Sequence, residues 1–282
     1  MKRIIYIKSN DLVFQTHIWG NEESRPVFLL HGFPQMPSTW DVVAENLEKN
    51  GFRVIVPYQR GYTKSTRTKS SLEFHFMEFV NDILEIADKL NINKFDVVGF
   101  GMGGMQAWML AALFPNKIRT LTSLRYPHPT AFARGILYDP AQKKKWESLQ
   151  TQFLSSNLQE RASLMLENNS RRLIDFLENV SLPDSHFERY LKVLENPDNL
   201  MGAFSWERAI SLTEFLEIPT VSLPVLLIWN LGPGLTEKTV RETENYVTGS
   251  FKSSRFPVEG NFILESHSKD IAPQITDYLL LH

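Results

Sequence analysis

A chain of 282 residues, 43% hydrophobic and 22% charged, can bury a large core, or a core plus a subdomain, without covalent staples. Its formal net charge of -2 gives no electrostatic case for nucleic acid or an anionic membrane surface. The absence of cysteine excludes disulfides, thiolate nucleophiles and Cys-ligated zinc. Met1-Lys2-Arg3 is followed by an apolar run too short for a signal peptide, and no apolar segment approaches a bilayer span. The expectation is a soluble, cytoplasmic protein.

Residues 4–8 and 12–19 alternate as two strands about an Asn10-Asp11 turn, an antiparallel hairpin at a sheet edge. The apolar run 27–30 predicts a buried strand that stops at the tight loop His31-Gly32-Phe33-Pro34. A helix from Trp40 to about Asn50 precedes a strand over 53–58, which ends in Gln59-Arg60-Gly61-Tyr62. Val80, Ile83, Leu84, Ile86 and Leu90 recur at helical spacing over 79–90. A strand over 94–98, a helix over 103–114 and a strand over 119–124 follow, the last leading into Tyr126-Pro127-His128-Pro129. Strands alternating with helices argue for a mostly parallel sheet covered on both faces. From 131 to 222 the alternation gives way to helices over 145–154, 158–167, 171–178, 185–194 and 199–212, separated by prolines. The strand pattern resumes over 224–229, then a helix over 236–247, a strand over 254–258 and a terminal helix over 271–281.

The stretch Gly99-Phe100-Gly101-Met102-Gly103-Gly104 joins a buried strand to a helix. Gly99 and Gly103 lack the Cβ atoms that would hold strand and helix apart, and the residue between them is held in a strained, exposed turn. This stretch, His31-Gly32-Phe33-Pro34, Gln59-Arg60-Gly61-Tyr62 and Tyr126-Pro127-His128-Pro129 together resemble the α/β-hydrolase family over nearly the whole chain. The closest likeness is to its capped branch, related to epoxide hydrolases, haloalkane dehalogenases and small-molecule esterases. The resemblance implies an α/β-hydrolase fold: a mostly parallel eight-stranded sheet with helices on both faces, the core at 1–130 and 223–282, and an all-helical cap at 131–222. No cofactor or metal is implied, and the partner expected is a small molecule. The histidines show no metal-ligand spacing, and the glycine turn lacks a phosphate-loop lysine.

The family hydrolyses with a Ser or Asp nucleophile, an acid and a histidine in that chain order. Matched to this sequence, the three positions hold Gly101, Pro233 and Asn261, none of which carries the chemistry. The resemblance still implies a backbone oxyanion site made of the Phe33 and Met102 N–H groups, aided by the positive end of the helix that follows. His128, Tyr126 and Glu207 are the candidate proton-transfer groups. His31, Gln35, Phe100, Trp206, Trp229 and Phe262 are candidate substrate contacts. Four of them have a plainer reading: His31 orders its own loop, His128 and Tyr126 fix the hinge into the cap, and Glu207 is a solvated neighbour of Trp206.

Polarising a carbonyl without attacking it suits enolisation, cyclisation, elimination or retro-aldol chemistry. The leading reading is therefore a non-hydrolytic, cofactor-independent cyclase, lyase or isomerase, of the kind that serves specialised-metabolite or polyketide biosynthesis. The alternatives are a pseudo-hydrolase that binds a ligand or protein partner, and a hydrolase with a relocated triad. An exposed apolar cap face would equally serve a homodimer.

Overall fold

The apolar and alternating runs pair into one sheet in the computed structural model. It describes residues 1–67, 75–153, 157–179, 182–232, 234–258, 260 and 262–282, with the side chains of 149–153, 179, 207 and 208 not described. The strands are β1 (Arg3–Ser9), β2 (Leu12–Trp19), β3 (Arg25–Leu30), β4 (Phe52–Pro57), β5 (Phe95–Phe100), β6 (Ile118–Leu124), β7 (Val225–Trp229) and β8 (Phe251–Arg255). They lie in the order β1-β2-β4-β3-β5-β6-β7-β8. The β1/β2 and β2/β4 pairs are antiparallel and the rest are parallel. The crossing of β3 and β4 buries β3, β4 and β5 at the centre, which is why these strands read as continuous apolar runs.

Alternation along β3 divides the core in two. Val27 and Leu29 face one cluster, and Phe28 and Leu30 the other. The first cluster is closed by α1 (Asp41–Lys49) and a C-terminal helix over Ile263–Leu281, through Val43, Leu47, Ile271 and Ile275. The second is closed by α2 (Phe76–Lys89) and α3 (Met102–Leu113), and it continues into the helices inserted between β6 and β7. These are α4 (Pro129–Tyr138), α5 (Pro140–Phe153), α6 (Leu158–Asn179), α7 (Asp184–Leu194), α8 (Pro197–Arg208) and α9 (Leu212–Phe215). The short α10 (Glu237–Arg241) precedes β8, and α11 is the helix over Ile263–Leu281.

Several bounds differ from the sequence reading. Residues 167–170 leave helical geometry within α6, with Asn168, Asn169 and Ser170 at positive φ, so it is two helices in the places expected. β8 is Phe251–Arg255 and not 254–258, because pairing with β7, and not its own weak alternation, sets its register. The expected helix over 236–247 divides into α10 and a 3-10 turn over Glu242–Tyr246. The terminal helix starts eight residues earlier than expected, and kinks at His267 where φ is -132°.

Candidate active site

The turn between β5 and α3 is held by glycine geometry. Gly101 has φ 57° and ψ -123°, a conformation costly for any residue with a side chain. A Cβ on Gly99 would collide with Gly103 O, and one on Gly103 with Leu30 O. A Cβ on Gly101 meets no described atom within 4 Å, so the turn points its central residue into open space. Met102 is the first residue of the 12-residue α3, where an N–H group has no acceptor in its own helix. The Gly101 N–H donates to Leu124 O at 3.0 Å, fixing the turn to the end of β6.

The loop after β3 closes on this turn. The Cβ position of Gly32 lies 2.8 Å from Phe100 O and 3.0 Å from Met102 N. The Phe33-Pro34 peptide is cis. The Phe33 ring reaches the inserted helices, 5.4 Å from Phe204. Gln35, 1% exposed, places its Oε1 3.5 Å from the same Gly32 Cβ position.

The other expected contacts have other work. His31 is fully buried; its Nδ1–H donates to Gly32 O at 3.0 Å and its Nε2 accepts from the Gln59 N–H at 3.2 Å. Both ring nitrogens are engaged, so His31 orders its loop. Phe100 belongs to the core cluster that holds Trp40, Val98 and Ile263, whereas the buried apolar residues of α3 belong to the other. Trp206 is fully buried, stacks 6.1 Å from His31 and donates to Arg60 O at 2.9 Å, fastening α8 to the core. Trp229 donates to Ser253 Oγ at 3.0 Å and supports the guanidinium groups of Arg241 and Arg255. Phe262 packs edge-on against Tyr190 at 6.0 Å.

The proton-transfer candidates fare likewise. His128 caps α4: its Nδ1 accepts from the Thr130 N–H at 3.2 Å and its Nε2–H donates to Pro219 O at 3.1 Å. Its ring stacks on Tyr246 at 4.9 Å, and burial pushes its pKa down to about 4. This is a hinge residue held neutral, and the placement argues against a role in proton transfer. Tyr126 packs on Phe132 at 5.2 Å, and its carbonyl accepts from Trp108 Nε1 and Ser123 Oγ. Pro233, Asn261 and the side chain of Glu207 lie outside the described residues.

One buried acid was missed in the sequence. Glu265, in the first turn of α11, accepts through Oε1 from Thr39 Oγ1 at 2.7 Å and from the Tyr190 hydroxyl of α7. Its Oε2 has no hydrogen-bond partner among the described residues. Burial pushes its pKa up to about 6, against the opposing effects of the two hydroxyl donors and the buried Arg125. Arg125 follows β6 at φ 68°, and its Nη2 lies 2.7 Å from the Cβ position of Gly232. The network joins the insertion to the core beside Phe262. Starting the last helix at 271 put Glu265 in a loop; one turn of helix after Asn261 is the signal that would have found it.

The strand order, the glycine turn between β5 and α3 and the loop closing on it define a class. The model of the α/β-hydrolase fold family matches residues 25–231, and this chain belongs to that family. Among its relatives are epoxide hydrolase 4 of Mus musculus, 28% identical over 95% of this chain and 76% of that protein, and the AB hydrolase superfamily protein YfhM of Bacillus subtilis, 26% identical over 86% and 85%. A crystal structure of Bacillus megaterium epoxide hydrolase with an inhibitor superposes with TM-score 0.83 at 21% identity, covering 98% of this chain and 99% of that one. Among the described residues no helix is long and apolar enough to cross a membrane.

Proposed function

We propose that this chain is a cofactor-independent, non-hydrolytic enzyme that acts on a carbonyl-bearing small molecule as a cyclase, lyase or isomerase. The observation that carries the reading is Gly101: the turn keeps the shape that presents a nucleophile, opens into space, and holds a residue with nothing to attack with. No acyl or alkyl ester can form there. The Met102 N–H, backed by the positive end of α3, and the Phe33 N–H would stabilise negative charge developing on the carbonyl oxygen. Glu265 is a buried acid pushed up to about 6, and in this reading it takes, with Tyr190, the proton-transfer role expected of His128. The helices α4 to α9 act as the cap that excludes water. The likeness to proteins named epoxide hydrolases supports an oxygen-bearing electrophile as ligand, with the hydrolytic step lost.

Met102→Pro tests the oxyanion site. Proline is tolerated at the first position of a helix, so the change removes the N–H with little cost to α3. Incubated with a metabolite extract of the source cells, the wild-type protein is expected to convert a small molecule to an isomer or fragments. Met102→Pro should slow this by roughly a hundredfold or more, and Met102→Leu, which keeps the N–H, should not. Full activity in Met102→Pro contradicts the reading.

A second reading, a pseudo-hydrolase that only binds a ligand, is supported by the engagement of both ring nitrogens of His31 and of His128. A molecule retained unchanged from the extract would favour it. A relocated hydrolytic triad has less support, because the Ser266-His267 pair, 2.7 Å apart, sits at the exposed kink of α11.

A further inference from the structure

Gln35 is a buried amide without a hydrogen-bond partner for its oxygen. The residue is 1% exposed, and Oε1 accepts from no described residue. An unpaired buried acceptor costs about 1–3 kcal/mol, and such groups in folded chains are ordinarily satisfied. Its position gives the exception a meaning. Oε1 lies 3.5 Å from the Cβ position of Gly32, and Met102 N lies 3.0 Å from that same point. An unpaired acceptor and a helix-terminal donor therefore both lie within 3.5 Å of one point, where the loop after β3 meets the Gly101 turn.

We propose that the site takes a neutral hydroxy-carbonyl compound. Its carbonyl oxygen accepts from the Met102 N–H, and a hydroxyl one or two carbons away donates to Gln35 Oε1. The inference rests on the oxyanion site described above and adds the substrate class. A simple ketone or an epoxide presents acceptors alone and leaves Oε1 unpaired. A carboxylate sets its charge against that oxygen. An ammonium group supplies a donor but must lose its hydration at a buried site where Gln35 offers no countercharge. A hydroxyl beside a carbonyl satisfies both partners without charge, and is the arrangement that dehydration, retro-aldol cleavage and ketol isomerisation share.

The test compares α-hydroxyacetophenone with its methyl ether, which keeps the carbonyl and the ring and loses the donor, by ligand-observed NMR titration. The wild-type protein is expected to bind the hydroxy ketone about tenfold more tightly than the ether. Gln35→Met, of similar volume but without the amide oxygen, should bind the two alike, and Gln35→Glu, which keeps an acceptor, should keep the preference. Circular dichroism confirms that the variants fold, and the comparison of the two ketones on wild-type protein decides the matter without any variant. Equal affinity for the two, binding of neither, or a preference that survives in Gln35→Met overturns the proposal. Turnover plays no part in these readouts. A Gln35-dependent preference in a protein that converts nothing refutes the enzyme and keeps the subsite; turnover abolished by Met102→Pro with no such preference does the reverse.

Discussion

Gly101 and Gly103 stand two residues apart and oppose a side chain for different reasons. At Gly101 the obstacle is backbone geometry alone, since a Cβ meets no described atom within 4 Å. Gly101→Ala should therefore cost about 1–3 kcal/mol of stability. At Gly103 the obstacle is a collision with the carbonyl of Leu30, which packing cannot relieve without parting β3 from α3. Urea unfolding should show Gly103→Ala to be the more damaging of the two; the opposite order would mean that the turn is not held as described. Glu265 carries a prediction of another kind. Its pKa, pushed up to about 6 by burial, makes its carboxylate form dominant at neutral pH. If that form takes the proton, activity should fall as the pH drops through about 6. Glu265→Gln should lower kcat and remove that inflection, whereas a merely structural Glu265 would leave the inflection in place.

At the scale of elements, two joints hold the site. β3 and β5 are tied by Arg25, which makes two bonds of 2.7 and 2.8 Å to the fully buried Asp96, with Thr120 of β6 donating to the same carboxylate at 2.8 Å. Asp96→Asn removes the buried charge and leaves Arg25, whose side chain is 26% exposed at the start of β3, without its charge partner; it should cost about 1–3 kcal/mol, read from the urea midpoint. The second joint is α8 against the turn after β4. The backbones of Gly61 and Gly202 touch there, so that a Cβ on Gly61 would lie 2.8 Å from Gly202 O. Gly202→Ala should overpack this seam, cost about 1–3 kcal/mol, and expose the inserted helices to limited proteolysis before the core. The sheet follows from patterns visible in the chain, because apolar runs are local signals; the two joints do not, because the fold alone brings Arg25 to Asp96 and Gly61 to Gly202. The site was legible only in part. The glycine turn and the loop at Phe33 were readable because backbone geometry demands particular residues there. The structural duties of His128 and Trp206 were hidden because their hydrogen-bond partners, Pro219 and Arg60, are distant in sequence. Glu265 escaped because α11 begins earlier than its apolar spacing indicates.

Over the whole molecule, neutral buried histidines set the acid limit. His17, His31 and His128 are each pushed by burial from 6.5 down to about 4. The unfolded chain therefore takes up protons from about pH 6.5 downward and the folded protein does not, so their contribution is complete above that pH and is lost on the way to about pH 4. Glu265 and Asp82 act the other way, since their folded values near 6 exceed the ordinary 4.5 and 3.8, and they return part of the loss. Three groups against two leave a net decline, expected to exceed about 1 kcal/mol per pH unit near pH 5. His31→Gln should flatten that slope in urea unfolding measured at several pH values. A slope unchanged in this variant would show that His31 titrates normally in the folded protein.

The central claim is that chemistry here proceeds on the backbone donors beside Gly101 without a nucleophile and without adding water. Incubation of the protein with the metabolite extract in oxygen-18 water, followed by mass spectrometry of products and of the intact protein, tests it most directly. The expected result is products whose atoms sum to the substrate, no product enriched by net addition of labelled water, and no covalent adduct on the chain. A product equal to the substrate plus one labelled water would contradict it and return this chain to the hydrolases.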